Sequence, residues 1–371
     1  MSSSRTTRRP PGWGSPVRLL FRLLLTGVGL GLITGSTLRW LAPEVRRQSL
    51  PLPSWLDRLE AAQLSSTASA PSKRTVQPRS IHGSFQPKSE IKALSSRWRA
   101  IAATQKDLLA SAYLLILDDG RYAQLNANRP MPAASSIKTP VLLAALERID
   151  AGDLRWNEPL ELTEELVAGE AGWMATRPIG SRFPTFMVAT EMIRISDNSA
   201  TNLLIQGAGG QQAVNARFRS LGLPATVINN WLPDLEGSNT TSAHDLSRSI
   251  ALVDSGDLLS QRSRDLFRQV MGTSVTNTLL PRGLMQGLGG TQGEPDSSLA
   301  RLGYRVLNKT GDIGIAYADA GLIELPDGRR AVAGFLVKGP FNDPRSTALI
   351  RALAKAMAPH LQPLRAASLS S

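Results

Sequence analysis

The chain has 371 residues, of which 42% are apolar and none is cysteine. This length and apolar content suffice for one or two domains with a real core, and the lack of cysteine excludes disulfides, a thiol nucleophile and thiolate metal sites. The formal charge of +12 suggests a nucleic-acid or anionic-membrane partner, but residues 1–88 carry +10 of it and residues 89–371 only +2. We therefore expect no nucleic-acid binding by the main part of the chain, because no basic stripe remains to contact phosphates.

The N-terminal part predicts a tail, a membrane anchor and a linker. Residues 1–22 form a basic tail without acids, and residues 23–41 include 16 consecutive uncharged positions, 23–38. This pattern predicts a transmembrane signal-anchor, with the basic tail in the cytoplasm and the rest of the chain on the periplasmic, extracytoplasmic side. Secretion after signal cleavage is the alternative, although no Ala-x-Ala site follows the apolar run. Residues 42–88, rich in proline and serine, predict a flexible linker.

The segment 89–362 has a globular composition, followed by a short tail at 363–371. The periodicity predicts a helix, then a two-stranded hairpin, then a long helical region, three strands and a closing helix. The expected helices are 95–109, one beginning near residue 135, 185–195, 200–205, 211–221, 242–253, 260–271 and 345–357. The expected strands are 111–118, 121–126, 304–310, 318–324 and 331–338, and the glycine-rich stretch 277–300 reads as irregular. The order predicts an α+β fold, in which a single antiparallel sheet is covered by terminal helices and carries an inserted all-helical lobe.

Ser135 and Lys138 precede the apolar run 141–146 and would share one face of a helical first turn. A serine hydroxyl is a poor nucleophile at neutral pH and needs a neighbour that takes its proton. A lysine serves as that base if burial or another cation lowers its pKa. A capping serine beside a solvated lysine is the structural alternative.

Two further motifs follow the Ser-x-x-Lys pattern in the same chain. Taken in order, the three motifs are Ser135-x-x-Lys138, Ser196-Asp197-Asn198 and Lys309-Thr310-Gly311. This triple signature resembles that of class A β-lactamases and penicillin-binding proteins, and the class A branch most closely. The resemblance covers roughly residues 95–360 and implies a serine hydrolase that works through an acyl-enzyme. The reaction that it favours most is hydrolysis of the β-lactam amide. It implies no cofactor and a monomeric catalytic domain.

The resemblance also implies a role for each motif residue. Ser135 would be the nucleophile, Lys138 its general base, and Ser196 a hydroxyl that passes the proton to the leaving nitrogen. The remaining residues would bind substrate: Asn198, Lys309, Thr310 and Gly311, with the backbone amides of Ser135 and Asp312 as the oxyanion hole and Trp173 at the mouth of the site. The side chain of Asp312 departs from the family pattern, because a carboxylate there repels an anionic substrate unless it turns away. The three histidines are too scattered for a Ser-His-Asp triad or a metal site.

The loop that carries the deacylating glutamate in class A enzymes departs from that pattern. The comparable sequence here is Trp231-Leu232-Pro233-Asp234-Leu235-Glu236, with Leu232 at the glutamate position. Glu236, at the position of the family's asparagine, is the replacement base that we expect, and Asp234 is a weaker candidate. Three functions therefore stay open: a β-lactamase, a penicillin-binding-protein-like peptidase or transpeptidase acting on D-alanyl peptides, and a domain that binds or senses β-lactams or wall peptides without turnover.

Overall fold

A six-stranded sheet forms the centre of the computed structural model, which describes residues 85–290 and 293–363. Its strand order is β1-β3-β2-β10-β9-β8. The bounds are β1 Ser89–Glu90, β2 Leu109–Ile116, β3 Arg121–Leu125, β8 Arg305–Asp312, β9 Ala316–Glu324 and β10 Arg330–Lys338. All neighbours pair antiparallel except β1, which runs parallel to β3. The α+β class is confirmed, whereas the sheet is mixed, because the short entering strand β1 adds to its edge in the parallel sense.

Terminal helices cover one face of this sheet, as the sequence predicts, although the first of them begins three residues and ends six residues before its predicted bounds of 95–109. They are α1 Lys92–Ala103 and α10 Pro344–Met357, and Trp98 Nε1 of α1 donates to Leu353 O of α10 at 2.8 Å. Strands β2 and β10 lie in the centre of the sheet and are buried almost throughout. Their continuous apolar runs fit strands that are covered on both faces.

The opposite face of the sheet packs against a lobe inserted between β3 and β8. Its helices are α2 Lys138–Asp150, α3 Thr185–Arg194, α4 Asn198–Gly207, α5 Gly210–Ser220, α6 Ala243–Asp254 and α7 Gln261–Met271. Two small antiparallel sheets join them: β4 Met131–Pro132 with β7 Thr240–Thr241, and β5 Pro159–Glu161 with β6 Arg182–Pro184. The prediction of an all-helical lobe was therefore wrong in this detail, because these two- and three-residue strands are too short to leave a periodic signal.

The stretch 277–300, predicted to be irregular, contains two helices: α8 Leu280–Gly287 and α9 Pro295–Arg301. Two of its glycines, Gly283 and Gly287, reflect close packing between helices. A Cβ at Gly283 would lie 2.5 Å from Arg351 O, and one at Gly287 would lie 2.4 Å from Lys355 O. These glycines let α8 approach the backbone of α10 closely. The high glycine content of the stretch therefore does not by itself indicate a loop.

The predicted basic tail at 1–22, the signal-anchor and most of the linker lie outside the described residues, as does the C-terminal tail after residue 363. Phe85, which the linker prediction includes, is buried and packs edge-on against His244 and stacks with Tyr113. The folded region therefore begins before residue 89. None of the helices in the described ranges has the length and apolar character needed to cross a membrane.

Candidate active site

Ser135 lies in a tight 3₁₀ turn, Ala134–Ile137, that runs directly into α2 at Lys138. The sequence placed both residues in one helical turn, whereas the α-helix begins only at the lysine. Ala134, just before the serine, has a positive φ of 46°, a strained conformation for a residue with a Cβ. Ser136 Oγ donates to Ala133 O at 2.6 Å and stabilises the turn, while Ser135 stays half-buried. Among the described residues, no hydrogen bond joins Ser135 Oγ to Lys138 Nζ.

Lys138 is fully buried and points into the Ser-Asp-Asn loop. Its Nζ donates to Ser196 O at 2.6 Å, to Ser196 Oγ at 2.9 Å and to Asn198 Oδ1 at 2.8 Å. Burial lowers the pKa of Lys138 well below its ordinary value, and the charge of Lys309 lowers it further, against a smaller opposing effect of Asp197. When neutral, the amine keeps two N–H donors for the carbonyl and amide oxygens and gains a lone pair that can accept a hydroxyl proton.

Asp197 builds the loop that holds Ser196 and Asn198 in place. Its buried carboxylate accepts from Ala200 N at 2.9 Å and so caps α4. It also accepts from the backbone amides of Trp173 and Met174, at 2.7 and 2.9 Å. The side chain therefore has a structural role.

We predict that Asp197→Ala lowers the free energy of unfolding by about 3–5 kcal/mol, because three backbone amides, two of them buried, lose a charged acceptor. Urea unfolding followed by circular dichroism measures this change. The exposed Asp257, replaced by alanine, is the matched control and should change stability by less than about 0.5 kcal/mol. A loss below about 1 kcal/mol in the Asp197 variant would contradict this role.

The Lys-Thr-Gly motif lies at the end of β8, which is an edge strand of the sheet. Lys309 Nζ donates to Ser196 Oγ at 3.1 Å, so the Ser196 hydroxyl lies between two lysine amines. Burial lowers the pKa of Lys309 to about 8, although Asp319 acts in the opposite sense. A Cβ at Gly311 would lie 2.7 Å from Ser135 N, so only glycine lets the strand approach the nucleophile turn this closely.

Asp312 turns its carboxylate into its own loop. Its Oδ1 accepts from Gly314 N at 2.8 Å, in the turn between β8 and β9. The side chain is exposed and its backbone continues the strand that reaches Ser135. The repulsion expected from this departure is therefore reduced, because the charge is held by the turn.

Trp173 is half-buried in a loop beside Asp197. Its ring packs edge-on against Phe183, lies under the guanidinium of Arg177, and donates through Nε1 to Glu191 Oε2 at 2.9 Å. These contacts give the ring a packing role, and its expected place beside the substrate stays a prediction.

The loop from Trp231 to Ser238 presents a single carboxylate without a partner. Leu232 is buried, and its backbone exchanges two hydrogen bonds with Asn202. Asp234 is committed to the loop itself, since it accepts from Ser238 N, Ser238 Oγ and Asn239 N. The Glu236 side chain is exposed and makes no hydrogen bond or ion pair within the part of the chain that the structure describes.

Three residues beside Lys309 and Thr310 escaped the sequence analysis: Thr276, Asn308 and Asp319. Thr310 Oγ1 donates to Thr276 Oγ1 at 2.7 Å. Asn308 Nδ2 donates to Asp319 Oδ1 and to Thr276 O, both at 2.9 Å. Asp319 is fully buried, and burial raises its pKa to about 7. An acid inside the apolar strand pattern of β9 is the signal that could have drawn attention to it.

No group of three or more His, Cys, Asp or Glu side chains within residues 85–290 and 293–363 could hold a metal ion. The described arrangement is a pair of buried lysines around the Ser196 hydroxyl, next to Ser135 in a turn whose preceding residue, Ala134, is strained. It can move a proton from a serine hydroxyl and hold an anion nearby.

Comparison with known proteins shows the family to which the chain belongs. A model of the Beta-lactamase enzyme family matches residues 88–361. A β-lactamase of Streptomyces fradiae is 26% identical over 202 residues, 52% of this chain and 65% of that protein. The chain spans between about half and two thirds of the length of the curated relatives it matches.

Two solved structures carry the same fold over most of this chain. The structure of PBP-A has a TM-score of 0.68 and 38% identity, covering 74% of this chain and 98% of PBP-A. A leucine-to-glutamate mutant of PBP-A, solved as an acyl-enzyme complex with penicillin G, has a TM-score of 0.67 and 37% identity, with the same coverage. The family match over 88–361 confirms the resemblance drawn from the three motifs, and the chain belongs to the β-lactamase enzyme family.

Proposed function

We propose that the chain is a serine hydrolase that forms an acyl-enzyme at Ser135 with β-lactams and then releases the product by hydrolysis. The observation that carries this proposal is Lys138. Its amine is fully buried beside a second buried lysine and contacts Ser196 and Asn198, so it favours the neutral form that a general base needs.

Acylation follows from these positions. Ser135 Oγ attacks the lactam carbonyl as Lys138 Nζ takes its proton, and the backbone amides of Ser135 and Asp312 receive the developing oxyanion. The lactam C–N bond then breaks. The proton returns from Lys138 through the Ser196 hydroxyl, 2.9 Å away, to the leaving nitrogen. The protonated Lys309 and the Thr310 hydroxyl bind the substrate carboxylate, and Asn198 binds the side-chain amide.

Release requires a water molecule and a base. We assign the base to Glu236, because Asp234 already accepts three hydrogen bonds inside the loop. The neighbouring Gly237 packs against Pro132, three residues before the nucleophile, and against Ile313, which follows Asp312: a Cβ there would be 2.8 Å from Pro132 Cβ and 3.1 Å from Ile313 Cδ1. Glu236 takes a proton from the water as the hydroxide attacks the ester carbonyl. When the ester bond breaks, that proton passes from Glu236 to the Ser135 oxygen, so Lys138 stays neutral and both groups are ready for the next cycle.

A penicillin-binding-protein-like peptidase or transpeptidase acting on D-alanyl peptides is the second candidate. The buried Leu232 favours it, because an apolar side chain occupies the place of the usual deacylating glutamate. A binding or sensing domain that acylates once is the limiting case of the same chemistry. All three candidate functions use the same proposed residues for acylation.

Intact-mass spectrometry of the protein mixed with excess benzylpenicillin, followed over time, tests the proposal. A transient adduct that clears while hydrolysed drug accumulates supports the β-lactamase. An adduct that persists for hours supports the peptidase or the sensing domain instead, and the absence of any adduct refutes acylation at this site.

The pKa of Lys309 gives a prediction for the pH dependence. Lys309 is charged below about 8 and neutral above, so second-order acylation by benzylpenicillin should fall as pH rises through that value. The charge on an arginine persists over this range. Lys309→Arg should therefore show no alkaline fall in a stopped-flow pH series, whatever its absolute rate. An unchanged alkaline limb in that variant would assign the titration to another group.

We also propose that residues 23–41 anchor the protein in a membrane, with a monomeric catalytic domain on the extracytoplasmic side. The support is the uncharged run 23–38, preceded by a basic segment. Fractionation of cells tests this proposal: recovery in the soluble fraction with residues 1–41 still attached would overturn it.

A further inference from the structure

We propose that Thr276 is a positioning residue for the subsite that binds the substrate carboxylate, because it can supply a hydrogen bond to Thr310 once Thr310 turns toward that carboxylate. The inference rests on the proposed function, since it assumes that an anionic substrate binds at Lys309 and Thr310. No sequence motif of the chain includes Thr276.

Three hydroxyl groups form a row that ends at the Lys-Thr-Gly motif. Thr310 Oγ1 donates to Thr276 Oγ1 at 2.7 Å, and Thr276 Oγ1 lies 3.2 Å from Ser274 Oγ. All three side chains are half-buried. The row therefore ends at Thr310, the group that the proposed function assigns to the substrate carboxylate.

The number of protons in this row limits what it can do. Each hydroxyl has one proton to donate, and without substrate Thr310 gives its proton to Thr276. A carboxylate only accepts hydrogen bonds, so Thr310 can bind it only after turning that proton toward the ligand. The two oxygens lie 2.7 Å apart. Once the oxygen of Thr310 is free to accept, the Thr276 hydroxyl turns its own proton toward it. A hydroxyl that accepts one hydrogen bond donates a stronger one.

Buried groups beneath the row fix Thr276 at this distance. Its carbonyl accepts from Asn308 Nδ2 at 2.9 Å, and the same amide nitrogen donates to Asp319 Oδ1 at 2.9 Å. Asp319 is the direct cross-strand partner of Thr310 between β8 and β9, and it also accepts from Leu280 N at 2.8 Å. The Asp319 carboxylate therefore holds the loop of Thr276 through Asn308, and Asp319 lies opposite Thr310 in the neighbouring strand.

A purely structural role of the Thr276 hydroxyl and the proposed positioning role lead to different expected results. If the hydroxyl only stabilised its loop, its loss would disturb the site as a whole and change binding and chemistry together. If it supports Thr310, its loss should weaken the initial binding of a carboxylate-bearing substrate and leave the chemical step unchanged.

The test is the concentration dependence of acylation of the full chain, followed by stopped-flow fluorescence or rapid-quench mass spectrometry. The probes are benzylpenicillin and its methyl ester, which lacks the carboxylate charge. We expect Thr276→Val to raise the dissociation constant of the initial benzylpenicillin complex about tenfold, with the acylation rate constant changed less than twofold. The same variant should bind the methyl ester as the wild type does.

Two further variants act as controls. Thr276→Ser keeps the hydroxyl and should restore wild-type binding, whereas a loss equal to that of valine would overturn the inference. Thr273→Val removes a nearby hydroxyl that donates to Val270 O, outside the row, and should behave as the wild type. Wild-type behaviour of Thr276→Val, or an equal loss with the methyl ester, would also overturn the inference, while an unlabelled wild type would instead refute the proposed function.

Discussion

Ser135→Ala should abolish covalent labelling by benzylpenicillin. The substitution removes the only atom that we assign to bond formation, while Lys138, Ser196 and Lys309 keep the contacts that hold the site together. No adduct should appear in the intact mass even after hours at millimolar drug. Thermal unfolding should stay close to that of the wild type, because Ser135 Oγ makes no hydrogen bond among the described residues.

The neighbouring serine provides the matched control. Ser136 Oγ is buried and donates to Ala133 O, so it is engaged in stabilising the turn. Ser136→Ala should therefore still acquire an adduct, although it loses one buried hydrogen bond and some stability. Labelling of the Ser135 variant together with loss of labelling in the Ser136 variant would reverse the assignment.

Glu236→Gln should leave acylation intact and slow the release of the acyl group by about 10²- to 10⁴-fold, the usual effect of losing a general base. The amide cannot take a proton from water, yet it has nearly the same shape as the carboxylate. Single-turnover mass spectrometry separates the two steps, since the adduct should form at the wild-type rate and then persist.

The control for this prediction is Glu164→Gln, which removes another exposed carboxylate of the helical lobe. Its acylation and release should both match the wild type. If Glu236→Gln also releases product at the wild-type rate, Glu236 has no part in the reaction. The assignment of the base would then pass to Asp234, the other candidate in the loop, or to unassisted water, and slow release by unassisted water would favour the peptidase-like candidate.

Much of the fold could be predicted from the sequence, because its elements carry clear periodicity. The helices predicted at 185–195, 211–221, 242–253 and 260–271 each begin and end within one residue of their predicted ends. Two features could not be predicted in this way. The strand Ser89–Glu90 is too short for a pattern, and the glycines at 283 and 287 resemble loop composition although they serve helix packing.

The site was partly predictable, because most of its residues belong to three recognisable sequence motifs. These motifs lie far apart in the chain. The structure brings Lys138, Ser196, Asn198 and Lys309 together through hydrogen bonds. Thr276 could not be predicted, since its place in the site depends on a contact across the sheet edge and not on its sequence neighbours. The same holds for Asp319, whose importance follows from burial opposite Thr310.

The most direct test of the central claim is the position of the penicillin adduct in the wild-type protein, read by tandem mass spectrometry of a tryptic digest made soon after mixing. Trypsin should release residues 122–138 as one peptide, since Arg129 precedes a proline, and Ser135 and Ser136 are the only serines in it. We expect the added mass on this peptide, with fragment ions that place it on Ser135. An adduct on any other residue would contradict the assignment of Ser135 as the nucleophile.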